Sequence, residues 1–295
     1  MTAALLILPN FALILVGVLL ARRFGYGREF WSGLESLVYY VLFPALLFRS
    51  LALAKIDLAQ TRGLVLAACA FTILGFVLSM LAKPLFRLDV RFHAATSQCG
   101  YRFNTYIGLA VAGSLFGTQG VALAALLLGA MIPLANLGAV AMLASHSERG
   151  FLAEIARHPL VISSLAGFAW NLAGLPLPGF ADQTLSLLAQ TALPAGLLSV
   201  GAAMRLEGGQ GSVAAHAWWL AVKLVMLPAL AWSIARWAHF GPMESSLLVL
   251  CAALPTATNA YILAVRMAGD GRPVALQVSL GTLLSMLTLP LWMAA

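Results

Sequence analysis

Ten apolar runs follow one another along this chain of 295 residues, roughly at 5–21, 34–53, 61–82, 94–116, 120–143, 155–173, 183–204, 214–237, 244–265 and 273–293. As helices rising ~1.5 Å per residue, each run can cross ~30 Å of hydrocarbon. The runs are too long and too uniformly apolar for the short alternating segments of a β-barrel. Nor can they share one water-soluble core. Charged residues make up 9% of the chain and hydrophobic ones 62%, at a mean hydropathy of +0.95, whereas a soluble domain carries about 25% charged residues. The expected fold class is therefore an all-α polytopic membrane protein with ten transmembrane helices. Breakers and charges mark its joints, from Arg22 to Gly27, Ala54 to Gln60, Lys83 to Arg91, Ser145 to Arg149, Pro176 to Gly179 and Glu207 to Gly211.

The net charge of +7 would suggest nucleic acid in a soluble protein. Here the cations sit between apolar runs, where they face anionic lipid and set topology, and nothing points to a nucleic-acid partner. Arg22, Arg23, Arg28, Lys83, Arg87, Arg91, Arg149, Arg157, Arg205, Arg266 and Arg272 fall in odd-numbered loops or at their edges. Even-numbered loops hold only Lys55, Arg62 and Arg236. Odd loops are thus expected in the cytoplasm, with both termini outside a bacterial inner membrane. The first run lacks a basic leader and a cleavage site, so it reads as a retained span.

Cys69, Cys99 and Cys251 give neither a disulfide framework nor a metal pair. His93, His146, His158, His216 and His239 are scattered, and no metalloprotease, serine-hydrolase or phosphate-loop motif is present. The expectation is a non-enzyme without cofactor or bound metal, and not an ATP-driven pump.

The chain repeats itself. LESLVYYVLFPALLFRSLA from Leu34 matches LSLLAQTALPAGLLSVGAA from Leu185, aligning Pro44 with Pro194; NTYIGLAVAG from Asn104 matches NAYILAVRMAG from Asn259. Both matches keep nearly one offset, so residues 1–145 and 146–295 read as two five-helix repeats. An odd number of spans per repeat inverts the second relative to the first. Inverted repeats are the plan of many secondary transporters, whose sites form at the midplane between discontinuous helices.

The matched asparagines lie where helix continuity is weakest. Gly100 precedes Arg102 and Asn104 in span four; Pro255 precedes Thr256, Thr258 and Asn259 in span nine. Glycine permits a break and proline removes an amide donor. A backbone opened at membrane depth needs protein, water or ligand as partner. Gly100, Pro255 and Thr256 are therefore expected at the breaks. Arg102, Asn104, Asn259, Thr258, Tyr106, Tyr261 and Gln98 are the candidate substrate-binding residues, and Pro44 and Pro194 mark kinks or hinges. Each has an ordinary alternative: Asn, Thr and Tyr can pack helices together, and Arg102 can snorkel to the interface. Arg49 and Lys223 read as interfacial anchors or helix-pairing residues. Acidic residues all lie in loops or near span ends. An anion drawn to Arg102 suits that pattern better than a cation bound by embedded carboxylates.

LPNFALILVGVLLARRFG near the N-terminus, YVLFPALLF in span two, the Arg102–Asn104 stretch and LPTATNAYILAVRMAGD from Leu254 to Asp270 together resemble the auxin efflux carrier family of permeases. Bacterial members of that family are described as malate or malonate carriers, and its fold is akin to that of bile-acid, arsenite and riboflavin transporters. The resemblance covers nearly the full length and implies ten helices in two inverted five-helix repeats, with helices four and nine broken and crossing. It further implies a scaffold domain of helices 1, 2, 6 and 7, a transport domain of helices 3, 4, 5, 8, 9 and 10, and dimerisation through the scaffold. Many members place a proline at the fourth-helix break; none occurs here between Pro84 and Pro133, and Gly100 is expected to take that role. The long hydrophilic central loop of the plant exporters is also absent.

Together these features lead to the expectation of an alternating-access carrier for a small organic anion, a mono- or dicarboxylate, surrounded by membrane lipid and coupled to a proton or sodium ion. A carrier of a neutral or zwitterionic solute, or a membrane sensor that binds without transporting, are the alternatives.

Overall fold

A computed structural model describes residues 3–54, 58–143, 159–205, 212–257, 260–261, 264–265 and 271–295. Among them all regular structure is helical. Seven stretches are long and apolar enough to cross a membrane: Leu5–Arg23, Arg28–Ala52, Thr61–Phe86, Val90–Ala139, Gly179–Ala202, Val213–Trp237 and Arg272–Ala294. Pro159–Leu172 and Pro242–Ala253 are shorter apolar helices. Large side chains such as Leu8, Leu19, Leu66, Leu187 and Leu291 are more than half exposed, which suits lipid as the surrounding solvent.

We label the helices α1 (Ala3–Arg23), α2 (Arg28–Leu37), α3 (Phe43–Ala52), α4 (Leu58–Met80), α5 (Ala82–Phe86), α6 (Val90–Thr96), α7 (Thr105–Leu143), α8 (Pro159–Leu172), α9 (Gly179–Ala202), α10 (Val213–Ala221), α11 (Leu227–Trp237), α12 (Pro242–Ala253) and α13 (Arg272–Ala294). The membrane stretch of 50 residues, Val90–Ala139, is not one rod. It opens between Gly100 and Thr105, and Gly117 turns α7 at φ 59°, a conformation that favours glycine. The sequence expectation of separate spans ending at 116 and starting at 120 falls on this turn.

Two single π-helical turns interrupt longer helices, each just before a proline. Val38–Leu42 precedes Pro44, and Val222–Met226 precedes Pro228. A proline cannot donate to the carbonyl one turn back. The chain reassigns the ladder instead, with Phe43 N–H bonding the Val38 carbonyl and Leu227 N–H the Val222 carbonyl, each five residues back. Pro194 lies inside α9, which stays helical around it.

The contacts cluster into two compact units. Unit 1 comprises Met1–Leu58, Tyr106–Gly129 and Arg149–Ala203; unit 2 comprises Ala59–Thr105, Ala130–Glu148 and Met204–Ala295. In unit 1, α1 packs along α9, and α3 packs between α8 and α9. Small residues allow this, because a Cβ on Gly17 would overlap the Leu198 carbonyl and one on Gly201 the Ile14 carbonyl. Gly167 meets the Phe48 carbonyl in the same manner. Helix pairs in lipid are held by such close packing and by hydrogen bonds rather than by a hydrophobic drive. The bonds in unit 1 include Asn171 to the Ala52 and Ala54 carbonyls, at 3.1 and 2.7 Å, and Asn10 to Ser114 at 2.9 Å. Arg49 donates to Asp182 at 2.7 Å, so it is a helix-pairing residue.

Unit 2 is organised around the end of α4. The Leu78 and Ser79 carbonyls lie in the last turn of that helix, where intrahelical partners run out. The indoles of Trp218 and Trp219 reach across from α10 and donate to them at 2.9 and 3.2 Å. Trp219 is wholly buried, packed with Ala82, Ala215 and Phe92.

Candidate functional site

Span four is built to stop. Asp89 caps α6, its Oδ1 accepting from Arg91 N–H at 2.9 Å and Phe92 N–H at 3.1 Å. The Phe92 amide, helped by the Arg91 and Val90 amides and the Arg91 charge, holds this carboxyl below the usual range. After the seven residues of α6 the chain tightens into a 3₁₀ turn, Ser97–Gly100, and Tyr101–Asn104 are not helical. Gly100 lies there because the backbone presses on its neighbours: a Cβ would overlap Ser79 Oγ and come within 3.1 Å of Trp219 Cδ1. The break thus forms without a proline.

In span nine, α12 ends at Ala253 and residues 254–257 are not helical. The two breaks meet inside unit 2. Asn104 N–H donates to the Pro255 carbonyl at 2.7 Å, and Thr256 Oγ1 donates to the Cys99 carbonyl at 2.6 Å. Two groups released by lost helix geometry are thereby satisfied by the opposite break, as burial requires. Ala95, Cys99, Ala260, Ala264, Val274 and Val278 pack nearby, with Tyr261 against them.

Arg102 projects from this junction with a residue exposure of 8%, which does not fit snorkelling. Its guanidinium donates to Gln98 Oε1 at 3.1 Å and to Asn136 Oδ1 at 3.0 Å. Gln98 is oriented for that task, since its amide nitrogen is spent on the Ala95 carbonyl at 2.8 Å. Lys223 is more deeply placed, at 2% exposed, and donates to the Ala252 carbonyl at 2.9 Å. In an unbroken α12 that carbonyl would accept from residue 256. Lys223 therefore caps the broken end with its side-chain donor. It is a helix-pairing residue rather than an interfacial anchor.

Unit 2 thus brings together Gln98, Gly100, Arg102, Asn104, Pro255 and Thr256. Tyr261 also lies in unit 2, with the Arg205 guanidinium 6.0 Å from its ring centroid. Tyr106 belongs to unit 1, where it stacks on Phe43 at 4.5 Å, and Gly196 lies against both rings. Thr258 and Asn259 lie outside the described residues. Sequence reasoning missed Asn136 as a partner of Arg102 and Lys223 as a cap. In each case a polar residue in the middle of an apolar run was the available signal.

A helical membrane protein whose two broken spans bond to each other around buried cations belongs, as a class, with the polytopic carriers. The profile of a family described as membrane transport protein matches residues 142–293. The chain belongs to that family, the auxin efflux carrier family, and is a membrane transporter of it. Similar proteins include a "Putative malonate transporter" of Rhizobium meliloti, 27% identical, the alignment covering 96% of this chain and 92% of the relative. An "Uncharacterized transporter" of Methanothermobacter thermautotrophicus is 29% identical over 97% of this chain and 96% of its own length. "Uncharacterized transporter YfdV" of Escherichia coli is 24% identical over 97% of this chain and 95% of its own length.

Proposed function

We propose that the chain is a secondary carrier of a small organic anion, a mono- or dicarboxylate such as malonate or malate, working by alternating access in a bacterial inner membrane. One observation carries the reading: buried Arg102 sits where the two broken spans exchange hydrogen bonds. A carboxylate entering there finds a guanidinium, whose planar fork favours bidentate anion binding, and a backbone already opened at membrane depth. The description of the Rhizobium meliloti relative as a malonate transporter supports a dicarboxylate.

In this reading ten spans form inverted repeats at 1–145 and 146–295, with both termini outside. Unit 1 holds spans one, two, six and seven and acts as scaffold and dimer face; unit 2 carries the crossing and moves. Tyr106–Gly129 cluster with unit 1, so the proposed boundary runs through spans four and five. Asn104, Asn259, Thr258, Gln98, Tyr106 and Tyr261 are assigned to substrate, and Pro44 and Pro194 to hinges. A second reading, a neutral or zwitterionic solute, is favoured by the bonds that already engage Arg102 with Gln98 and Asn136.

Counterflow in proteoliposomes decides between them, using labelled malonate, malate and a neutral diamide analogue. Malonate exchange is expected to fall about 30-fold or more in Arg102→Ala, since losing a buried charged partner costs at least ~2 kcal/mol. Asn259→Ala is expected to lower it as well. Exchange that survives Arg102→Ala, with the diamide exchanging equally, overturns the anion reading. Saturable binding without exchange of any panel member favours a sensor.

A further inference from the structure

Two histidines of unit 2 take no part in the crossing, yet both are buried, His93 at 1% and His216 at 8% exposed. The protonation of His216 can be read from its partners. Gln277 Nε2 donates to the His216 backbone carbonyl at 3.1 Å, which turns Gln277 Oε1 toward the ring. That oxygen lies 2.6 Å from Nδ1 and can only accept, so Nδ1 carries the hydrogen. Nε2 is then a lone-pair acceptor, and it finds no hydrogen-bond partner among the described residues. His93 repeats the arrangement more loosely. Its Nε2 faces the Ser79 carbonyl at 3.4 Å, an acceptor, which leaves Nδ1 as the bare nitrogen, also without a partner among the described residues.

A buried acceptor with no donor is costly and rare in a folded protein. A proton at the bare nitrogen would satisfy it by turning the acceptor into a donor. Protonating His216 at Nε2 yields an imidazolium whose Nδ1–H is already held by a carbonyl oxygen. Its ring lies 5.7 Å from Phe92 and 6.1 Å from Trp219, within or near the range at which aromatic rings attract a cation. His93 is 6.2 Å from the same indole and sits at the carbonyl end of α4. The elements packed on α10 carry two cations and no carboxylate among the groups that face it. The short helix α5 brings Lys83, the 3₁₀ turn Cys99, α6 His93, and the following π turn Lys223. Beside His216, α13 offers the neutral Gln277.

We propose that His216, oriented by Gln277 and supported by His93, is a proton-binding site of unit 2, and that this proton travels with the solute. The coupling half rests on the carrier reading above. The balance is simple: one proton leaves water on one face, converts neutral imidazole to imidazolium at Nε2, and returns to water on the other face. Its charge offsets one negative charge of the carboxylate, lowering the cost of moving an anion through a low-dielectric interior.

Two measurements test this on the full chain. In lipid nanodiscs with ¹⁵N-labelled histidine, the His216 Nε2 resonance is expected to pass from bare to protonated as the medium is acidified. His216→Gln assigns that resonance, and Gln277→Ala marks it independently by shifting Nδ1. A bare Nε2 persisting to the lowest pH at which the chain stays folded overturns the site. In proteoliposomes with the membrane potential clamped at zero, a gradient of one pH unit, alkaline inside, is expected to drive about tenfold malonate accumulation. His216→Gln should abolish that stimulation. Accumulation unaltered in His216→Gln, or native exchange indifferent to the gradient, overturns coupling while leaving the carrier reading intact. No malonate exchange in the native chain defeats the carboxylate reading instead, and the spectra still decide the proton site.

Discussion

The two units handle polarity in opposite ways. Among the described residues, unit 1 buries the polar side chains of Asn10, Ser50, Ser163 and Ser199, none of them ionisable at ordinary pH. Unit 2 buries Arg102, Lys223, His93 and His216, with Gln98, Asn104, Thr256 and Gln277 among the groups that surround them. Both units face the same solvent problem, since an ionisable group in hydrocarbon is expensive wherever it sits. Unit 1 relies on backbones pressed together at glycines and on the partly exposed Arg49–Asp182 pair; unit 2 buries its ionisable groups and supplies them with partners.

The sharpest way to break this contrast is to attack the packing. In Gly201→Val the new side chain meets the Ile14 carbonyl on α1, with Val18 N–H only 2.9 Å from its Cβ. Backbone cannot yield as a flexible side chain would, so the cost is expected at or above the ~1–3 kcal/mol of ordinary overpacking. The expected outcome is collapse of the monodisperse peak in detergent chromatography, or a melting temperature lowered by many degrees. A variant that stays monodisperse with an unchanged melting temperature would mean that the α1–α9 contact is not what holds unit 1 together.

Lys223→Met asks the opposite question of unit 2. Removing the side-chain donor leaves the Ala252 carbonyl unpaired, a penalty of about 1–3 kcal/mol, but also removes a buried polar amine from the interior. These terms oppose each other, and the methionine fills nearly the same volume. The melting temperature should therefore move much less than in Gly201→Val, while malonate counterflow falls at least about tenfold because the broken end of α12 is no longer pinned. A large loss of stability with normal exchange in the surviving fraction would place Lys223 with the structural groups and blur the contrast.

Much of this was legible in the sequence, and the part that was not has a physical reason. Runs of apolar residues report the spans directly, because lipid imposes a length. The breaks were readable too: Gly100 and Pro255 predicted them, and the structure opens at residues 101–104 and 254–257. Hydropathy says where a chain crosses but not which spans share a partner. Arg102 could be suspected from depth alone, whereas its bond to Asn136 joins positions 34 residues apart. Likewise Lys223 read as either an anchor or a helix-pairing residue until Ala252, 29 residues away, proved to be its acceptor. The His216–Gln277 pair, 61 residues apart, left no mark on periodicity or composition. Tyr106 adjoins Asn104 in sequence, yet its ring stacks on Phe43 within unit 1, a pairing that chain proximity does not report.

The contrast extends, more weakly, to how helices begin. In unit 1, α2 and α9 start at Gly27 and Pro178 with no side-chain cap. In unit 2, α12 and α13 likewise start at Gly241 and Gly271 without one, but α6 is capped by Asp89 and α10 by Ser212, whose Oγ accepts from Ala215 N–H at 3.3 Å. Only the aspartate titrates. Its carboxyl is held below the usual range by the Phe92 amide first, so its stabilising contribution is complete above the unfolded value of about 3.9. That contribution is lost as pH falls through the lower folded value. Amide exchange at Arg91 and Phe92, corrected for the intrinsic pH dependence, should accelerate as pH drops below about 4, while the Ala215 amide behind Ser212 should not respond. Asp89→Ala should show the faster exchange already at neutral pH. Because Asp89 is fully exposed and screened by water, the effect should stay local to the first turn of α6. Loss of malonate exchange in Asp89→Ala at neutral pH would mean instead that the start of span four is coupled to the break.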